Sequence, residues 1–94
     1  MSKQRQMSIK LFLSTNLSRI AKGTQGFEID GETVGECVNE LIGLVPALKN
    51  ALFYESQLNA TVQVEVNRKA INRAERLTRK VNDGDEIRIM LKGH

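Results

Sequence analysis

The chain holds one histidine, His94, and one cysteine, Cys37. Nucleophilic catalysis needs a nucleophile beside a positioned base. His94 stands alone as the last residue of the sequence, a poor general base, and no triad can be assembled around it. Cys37 falls on the apolar face of a helical pattern, where a thiol ordinarily serves as a small buried hydrophobe. No second Cys or His stands at metal-ligand spacing. Glu36 and Glu40 lie one helical turn apart, the ordinary pattern of a solvated face. Gly23-Thr24-Gln25-Gly26 lacks the Gly-Lys-Ser/Thr of a phosphate loop. An enzyme with its own active site is therefore not expected. What remains is the segment Asp83-Gly84-Asp85-Glu86-Ile87-Arg88-Ile89, a tight turn feeding a strand, followed by Met90-Leu91-Lys92-Gly93-His94.

The elements needed to present that segment fit one domain. The 94 residues are 40% apolar, with seven Gly and one Pro, a composition that supports a single core. A single Cys allows no internal disulfide, and the expected compartment is the reducing cytoplasm. No signal peptide and no apolar run of about 20 residues is found. The 14 basic and 11 acidic residues leave a charge of +3, which suits an acidic partner surface without demanding nucleic acid.

Residues 1–6 are polar and basic and read as a disordered arm; a domain is expected over 7–92, with 93–94 as a short tail. From Met7 apolar and polar residues alternate. Ile9, Leu11 and Leu13 take one face of a strand, and Lys10, Phe12 and Ser14 the other. Phe12 is out of place on a polar face and marks a contact surface. Asn16 to Gly23 reads as a loop or one helical turn, and Gly26 to Asp30 as a second strand.

Thr33 with Glu36 three residues on has capping-box spacing, in which each side chain bonds the other's free N–H. Val34, Cys37, Val38, Leu41, Ile42 and Val45 then follow a helical stripe. Pro46 ends that helix near Leu44 and starts a short second one. Residues 54–60 read as a connecting loop. Thr61–Asn67 alternates as a strand, Asn67-Arg68-Lys69-Ala70 makes a turn with a short return strand, and Asn82-Asp83-Gly84-Asp85 makes another turn. Glu86–Leu91 is the last strand, with Ile87, Ile89 and Leu91 inward. The order is that of an α+β mixed sheet of four to five strands with one main helix on one face.

Arg68, Lys69, Arg73, Arg76, Arg79 and Lys80 form a basic stretch with Glu75 as its only acid. It reads either as a solvated surface or as a patch near the tail that docks an acidic partner. Specific nucleic-acid binding is disfavoured, because no aromatic is interleaved for base stacking.

Five segments carry a family resemblance: Ser8-Ile9-Lys10-Leu11-Phe12-Leu13, Asn16 to Gly23, Thr33-Val34-Gly35-Glu36-Cys37-Val38, Val64-Glu65-Val66-Asn67, and Leu77 through Val81 to Ile87. In order and spacing they resemble the ubiquitin-like β-grasp fold, and within it the sulfur carriers. That branch includes the small subunit of molybdopterin synthase and the thiamine-pathway sulfur carrier. The resemblance implies a protein substrate that needs no cofactor or catalytic base of its own. Its C-terminal Gly carboxylate is adenylated by a ubiquitin-activating-like partner, converted to a thiocarboxylate, and offered to a sulfur-accepting enzyme.

Carried onto this chain, the resemblance makes Gly93 the covalent site and gives Leu91 and Lys92 the guidance of the tail. Phe12 and Met90 dock the partner on the open sheet face, beside Leu13, and Arg68 and Lys69 add a basic contact. The family ends in two glycines, whereas Lys92-Gly93-His94 stands here. Two readings follow: a carrier once His94 is trimmed, or a β-grasp interaction module that carries no sulfur.

Overall fold

Alternation builds the sheet, and a capped helix covers it. The computed structural model describes residues 8–92. The arm expected over 1–6 and the tail 93–94, with the carrier glycine Gly93, lie outside the described residues. Strand β1 (Ile9–Leu13) is followed by the short helix α1 (Thr15–Ile20), strand β2 (Gly26–Ile29), the main helix α2 (Val34–Leu44) and the short helix α3 (Leu48–Leu52). A two-residue hairpin, β3 (Phe53–Tyr54) with β4 (Gln57–Leu58), stands where a plain loop is expected. Strand β5 (Val62–Val66), β6 (Lys69–Ala70), a single 3-10 turn (Arg73–Glu75) and β7 (Glu86–Leu91) complete the order.

Five strands form one sheet in the order β2-β1-β7-β5-β6. The last strand lies at its centre, parallel to β1 with Leu11 opposite Ile87, and antiparallel to β5 with Val64 opposite Ile89. This is the mixed sheet expected from the order of the elements, in the β-grasp arrangement that the resemblance implied.

The inward residues Ile9, Leu11, Leu13, Val64, Ile87 and Ile89 are buried against Val34, Val38 and Leu41 of α2. Leu13 is 4% exposed and belongs to this covered face, so the expected open-face patch loses it. Burying an aliphatic side chain of this size contributes roughly 1.5–3 kcal/mol, which makes the two faces of β7 strongly unequal.

Helix α2 begins as expected at Thr33, whose Oγ1 accepts the Glu36 N–H at 3.1 Å. The reciprocal bond differs from the expected one. The Glu36 carboxylate accepts from the N–H of Glu32 at 2.8 Å, one residue before the cap. An isolated bridge between Thr33 and Lys80 fixes the chain there in extended form, with Val34 N–H bonded to the Arg79 carbonyl.

The turn before β7 ties three segments together. Gly84 takes φ +92°, as its turn position requires. Asp85 accepts the Asn82 N–H through one carboxylate oxygen and the Asn67 side-chain amide through the other, and its carbonyl accepts the Lys10 N–H.

Ile89, 1% exposed at the centre of the sheet, tests this assignment. Ile89→Asp buries a carboxyl with no partner, at a cost of several kcal/mol against a typical domain stability of about 5–15 kcal/mol. The expected result is loss of amide dispersion in a two-dimensional NMR spectrum, while Ile89→Val, at about 0.5–1.5 kcal/mol, keeps the native spectrum. A dispersed spectrum for Ile89→Asp would reverse the faces of β7.

Candidate functional site

The register of β7 decides which side chains surround the chain's exit from the sheet. Val62 lies opposite Leu91, and the N–H of Lys92 donates to the carbonyl of Thr61 at 2.7 Å. Leu91 is half-buried against the core and Lys92 is exposed, so the sheet ends between them. Lys92 is the last described residue.

On the open face at this end, Phe12, Ser14, Arg88 and Met90 line a shallow pocket of about 300 Å³. Phe12 and Met90 thus come together as expected. The residue directly opposite Phe12 is Arg88, which the sequence reading did not single out. Its guanidinium stands 5.5 Å from the Phe12 ring centroid, and its Nε donates to the Glu86 carboxylate at 2.9 Å. Such a cation–ring contact at a partly exposed site contributes about 0.5–1 kcal/mol. Gly26 is paired with Phe12 on the other side, and a Cβ there would come within 3.2 Å of the ring. Phe12 therefore lies between Arg88 and a bare backbone, half-buried but open to the pocket. The Ser14 hydroxyl is buried there with no hydrogen-bond partner among the described residues.

The basic stretch divides. Arg68 and Lys69 sit on the β5–β6 hairpin, whose Asn67 and Arg68 take φ +53° and +71°. Val66 lies opposite Ile87, so this turn stands at the start of β7, the far end from Lys92. At about 3.3 Å per residue, the five residue steps from Ile87 to Lys92 put the separation on the order of 17 Å. Arg68 and Lys69 thus stand apart from Lys92, whereas Arg73 and Arg76 share a groove with it.

Arg76 is more than a surface charge. Its guanidinium donates to the carbonyls of Asn59 and Val62, each at 2.8 Å, and to that of Leu58 at 3.4 Å, while Nε donates to the Arg73 carbonyl at 3.3 Å. It thereby pins the loop whose Thr61 carbonyl receives the Lys92 N–H. Burial, and then the neighbouring Arg73, pull its pKa below the ordinary guanidinium value. Cys37 is buried under α2, and burial, followed by the charges of Glu36, Asp30 and Glu40, pushes its thiol up to about 11, an unreactive setting. Among the described residues no group of three or more His, Cys, Asp or Glu could hold a metal ion, and no helix is long and apolar enough to cross a membrane.

A family model described as the ThiS family matches residues 15–91. No curated protein sequence matches the chain. Among solved structures, small archaeal modifier protein 1 of H. volcanii superposes with TM-score 0.80 at 23% identity, over 93% of this chain and 99% of that one. A chain of the Amycolatopsis orientalis BexX/CysO complex gives TM-score 0.79 at 23% identity, over 93% and 98%. Small archaeal modifier protein 1 of Methanosarcina acetivorans gives 0.77 at 26% identity, over 94% and 95%.

The Arg76 clamp yields a direct expectation. Arg76→Ala strips the donors from the 58–62 loop, at about 1–3 kcal/mol for hydrogen bonds of a charged group. Hydrogen exchange of the Lys92 amide then quickens by about tenfold or more, while the β1 amides keep their protection. Arg76→Lys recovers only part, because an ammonium lacks the planar fork. Unchanged exchange at Lys92 would separate the clamp from the exit.

Proposed function

This chain belongs to the ThiS family, and on that premise we propose that it is a protein substrate whose Gly93 carboxylate carries sulfur. It has the ubiquitin-like fold of sulfur carriers and modifiers. The carrying observation is the reach of the family match, which runs through the central strand β7 to Leu91, next to the sheet's exit.

The chemistry needs three steps and no base from this chain. Hydrolysis after Gly93 removes His94 and whatever follows, leaving a carboxylate. An oxygen of that carboxylate attacks the α-phosphorus of ATP held by an adenylating partner, and pyrophosphate leaves. A sulfide-level donor then attacks the acyl-adenylate carbon and displaces AMP, giving the thiocarboxylate. A sulfur-accepting enzyme of the molybdopterin or thiamine type receives that sulfur. The compartment is the reducing cytoplasm, which keeps the sulfur at that oxidation level.

Leu91 and Lys92 guide the tail, because the Thr61 bond fixes where it leaves the sheet. Phe12 and Met90 dock the partner through the shallow open-face pocket, and Arg88 holds the ring in place. Arg68 and Lys69, at the far end of β7, contribute long-range attraction to an acidic partner rather than contact at the tail.

A second reading rests on a specific residue. Lys92 stands where the family's first tail glycine would be, and a long cationic side chain hinders threading into a narrow tunnel. On this reading the domain binds a partner through its sheet and carries no sulfur.

Intact-mass measurement on protein taken from its native cell decides between them. The carrier predicts a species ending at Gly93, together with one about 16 Da heavier in which sulfur has replaced oxygen. A population that retains His94 throughout, with no heavier form, leaves the interaction module as the function.

A further inference from the structure

Beside the tail exit, on the β5–β6 side of the sheet, lies a groove of about 330 Å³. Its apolar lining includes Val62 and Ile71, both buried. Among the described residues its charged lining is Arg73, Arg76 and Lys92, with no Asp or Glu side chain. A second hollow of about 370 Å³ shares Ala60, Arg73 and Arg76 with the first and reaches Tyr54 on the β3–β4 hairpin. Tyr54 is 70% exposed, one of the two large hydrophobic residues that stand open to solvent among the described residues.

We propose that this cleft binds an extended acidic peptide segment of the partner that takes up the tail. The partner's role rests on the carrier reading; the charge of the ligand does not.

Three cations within one concavity raise its potential, and low-dielectric walls focus the field there. The guanidinium of Arg76 has its donors turned to the loop carbonyls, so it supplies charge; Arg73, exposed and held by one long bond from Nη2 to the Ala60 carbonyl at 3.5 Å, and the exposed Lys92 keep donors for carboxylates. The two hollows joined at Ala60 form a run longer than a single small anion fills. An extended chain presents carboxylates at intervals along such a run, and Tyr54 at its far end offers a flat apolar contact for the residue that follows. Gln63 lines the groove and lies opposite Met90 on β5, which makes the cleft contiguous with the open-face pocket. One partner can therefore touch both surfaces while it holds the tail.

An amide-resolved NMR titration of the full chain with an oligoglutamate peptide tests this. The expected shifts centre on Ala60, Gln63, Ala70, Arg73 and Lys92, and they shrink as salt screens the charges. Arg73→Glu, at an exposed position outside the core, keeps the fold and weakens binding about tenfold or more. Lys22→Glu, exposed between α1 and β2 on the other side of the sheet, changes it by less than about twofold. Shifts spread evenly over Arg68, Lys69 and the other surface cations would overturn the proposal, as would an Arg73→Glu variant that binds normally. Inorganic phosphate saturating the same amides as tightly as the peptide would make the site one for small anions and would equally overturn it. The titration involves no sulfur, so a chain that binds the peptide but never becomes thiocarboxylated refutes the carrier reading and leaves the cleft assignment standing.

Discussion

The strand that leads to the last described residue is held from both sides in the middle of the sheet. β7 pairs in parallel with β1 and antiparallel with β5, and its inward residues Ile87 and Ile89 are essentially inaccessible. Peeling it away would break two ladders and open the core at once. Local fraying of the kind that frees terminal segments in many small domains is therefore suppressed up to Leu91. At Lys92, the last described residue, the N–H still bonds the Thr61 carbonyl beside the sheet. A protein that presents its own end to another enzyme gains from this, since a tail fixed at its base loses less freedom on insertion than one attached to a loose strand.

The same strand organises two faces of different character. The covered face is aliphatic apart from Phe27 at its β2 edge and fits α2. The open face interleaves Lys10, Glu86, Arg88 and Glu28 around a single aromatic ring, with Lys10 opposite both Glu28 and Glu86. Charges that alternate across neighbouring strands keep a solvated sheet soluble without covering it. Phe12 interrupts them at the tail end only. It lies beneath a guanidinium, so the apolar surface it offers to water is small.

Most of this architecture is legible in the sequence, because period-two alternation and a capped helical stripe are local signals. β1, β2, α2, β5, the turn at Asp83-Gly84 and β7 fall where the patterns place them. What escapes the sequence is long-range or carried by backbone. The pairing of Phe12 with Arg88 requires the parallel register, which no single strand reveals. The Arg76 clamp joins a side chain to carbonyls 14 to 18 residues away, and carbonyls have no signature in the sequence. The β3–β4 hairpin comprises two residues a side, too short for alternation to register. Arg68 and Lys69 are adjacent in sequence to the basic residues near the exit, yet the hairpin carries them to the other end of β7.

That separation bears on how a partner is recognised. Coulombic attraction between exposed charges fades over a Debye length of about 8 Å at physiological ionic strength. Arg68 and Lys69, on the order of 17 Å from Lys92, do not form one cluster with it, and on the proposed reading they add only to the field a partner would meet on approach. Arg73, Arg76 and Lys92 share one concavity and act together. On the proposed reading the positive charge is divided between attraction at a distance and contact at the exit, where β5 flanks β7. A partner engaged by both the cationic cleft and the Phe12–Met90 pocket is oriented about the axis of β7, which is the degree of freedom that must be fixed before a tail can enter a tunnel.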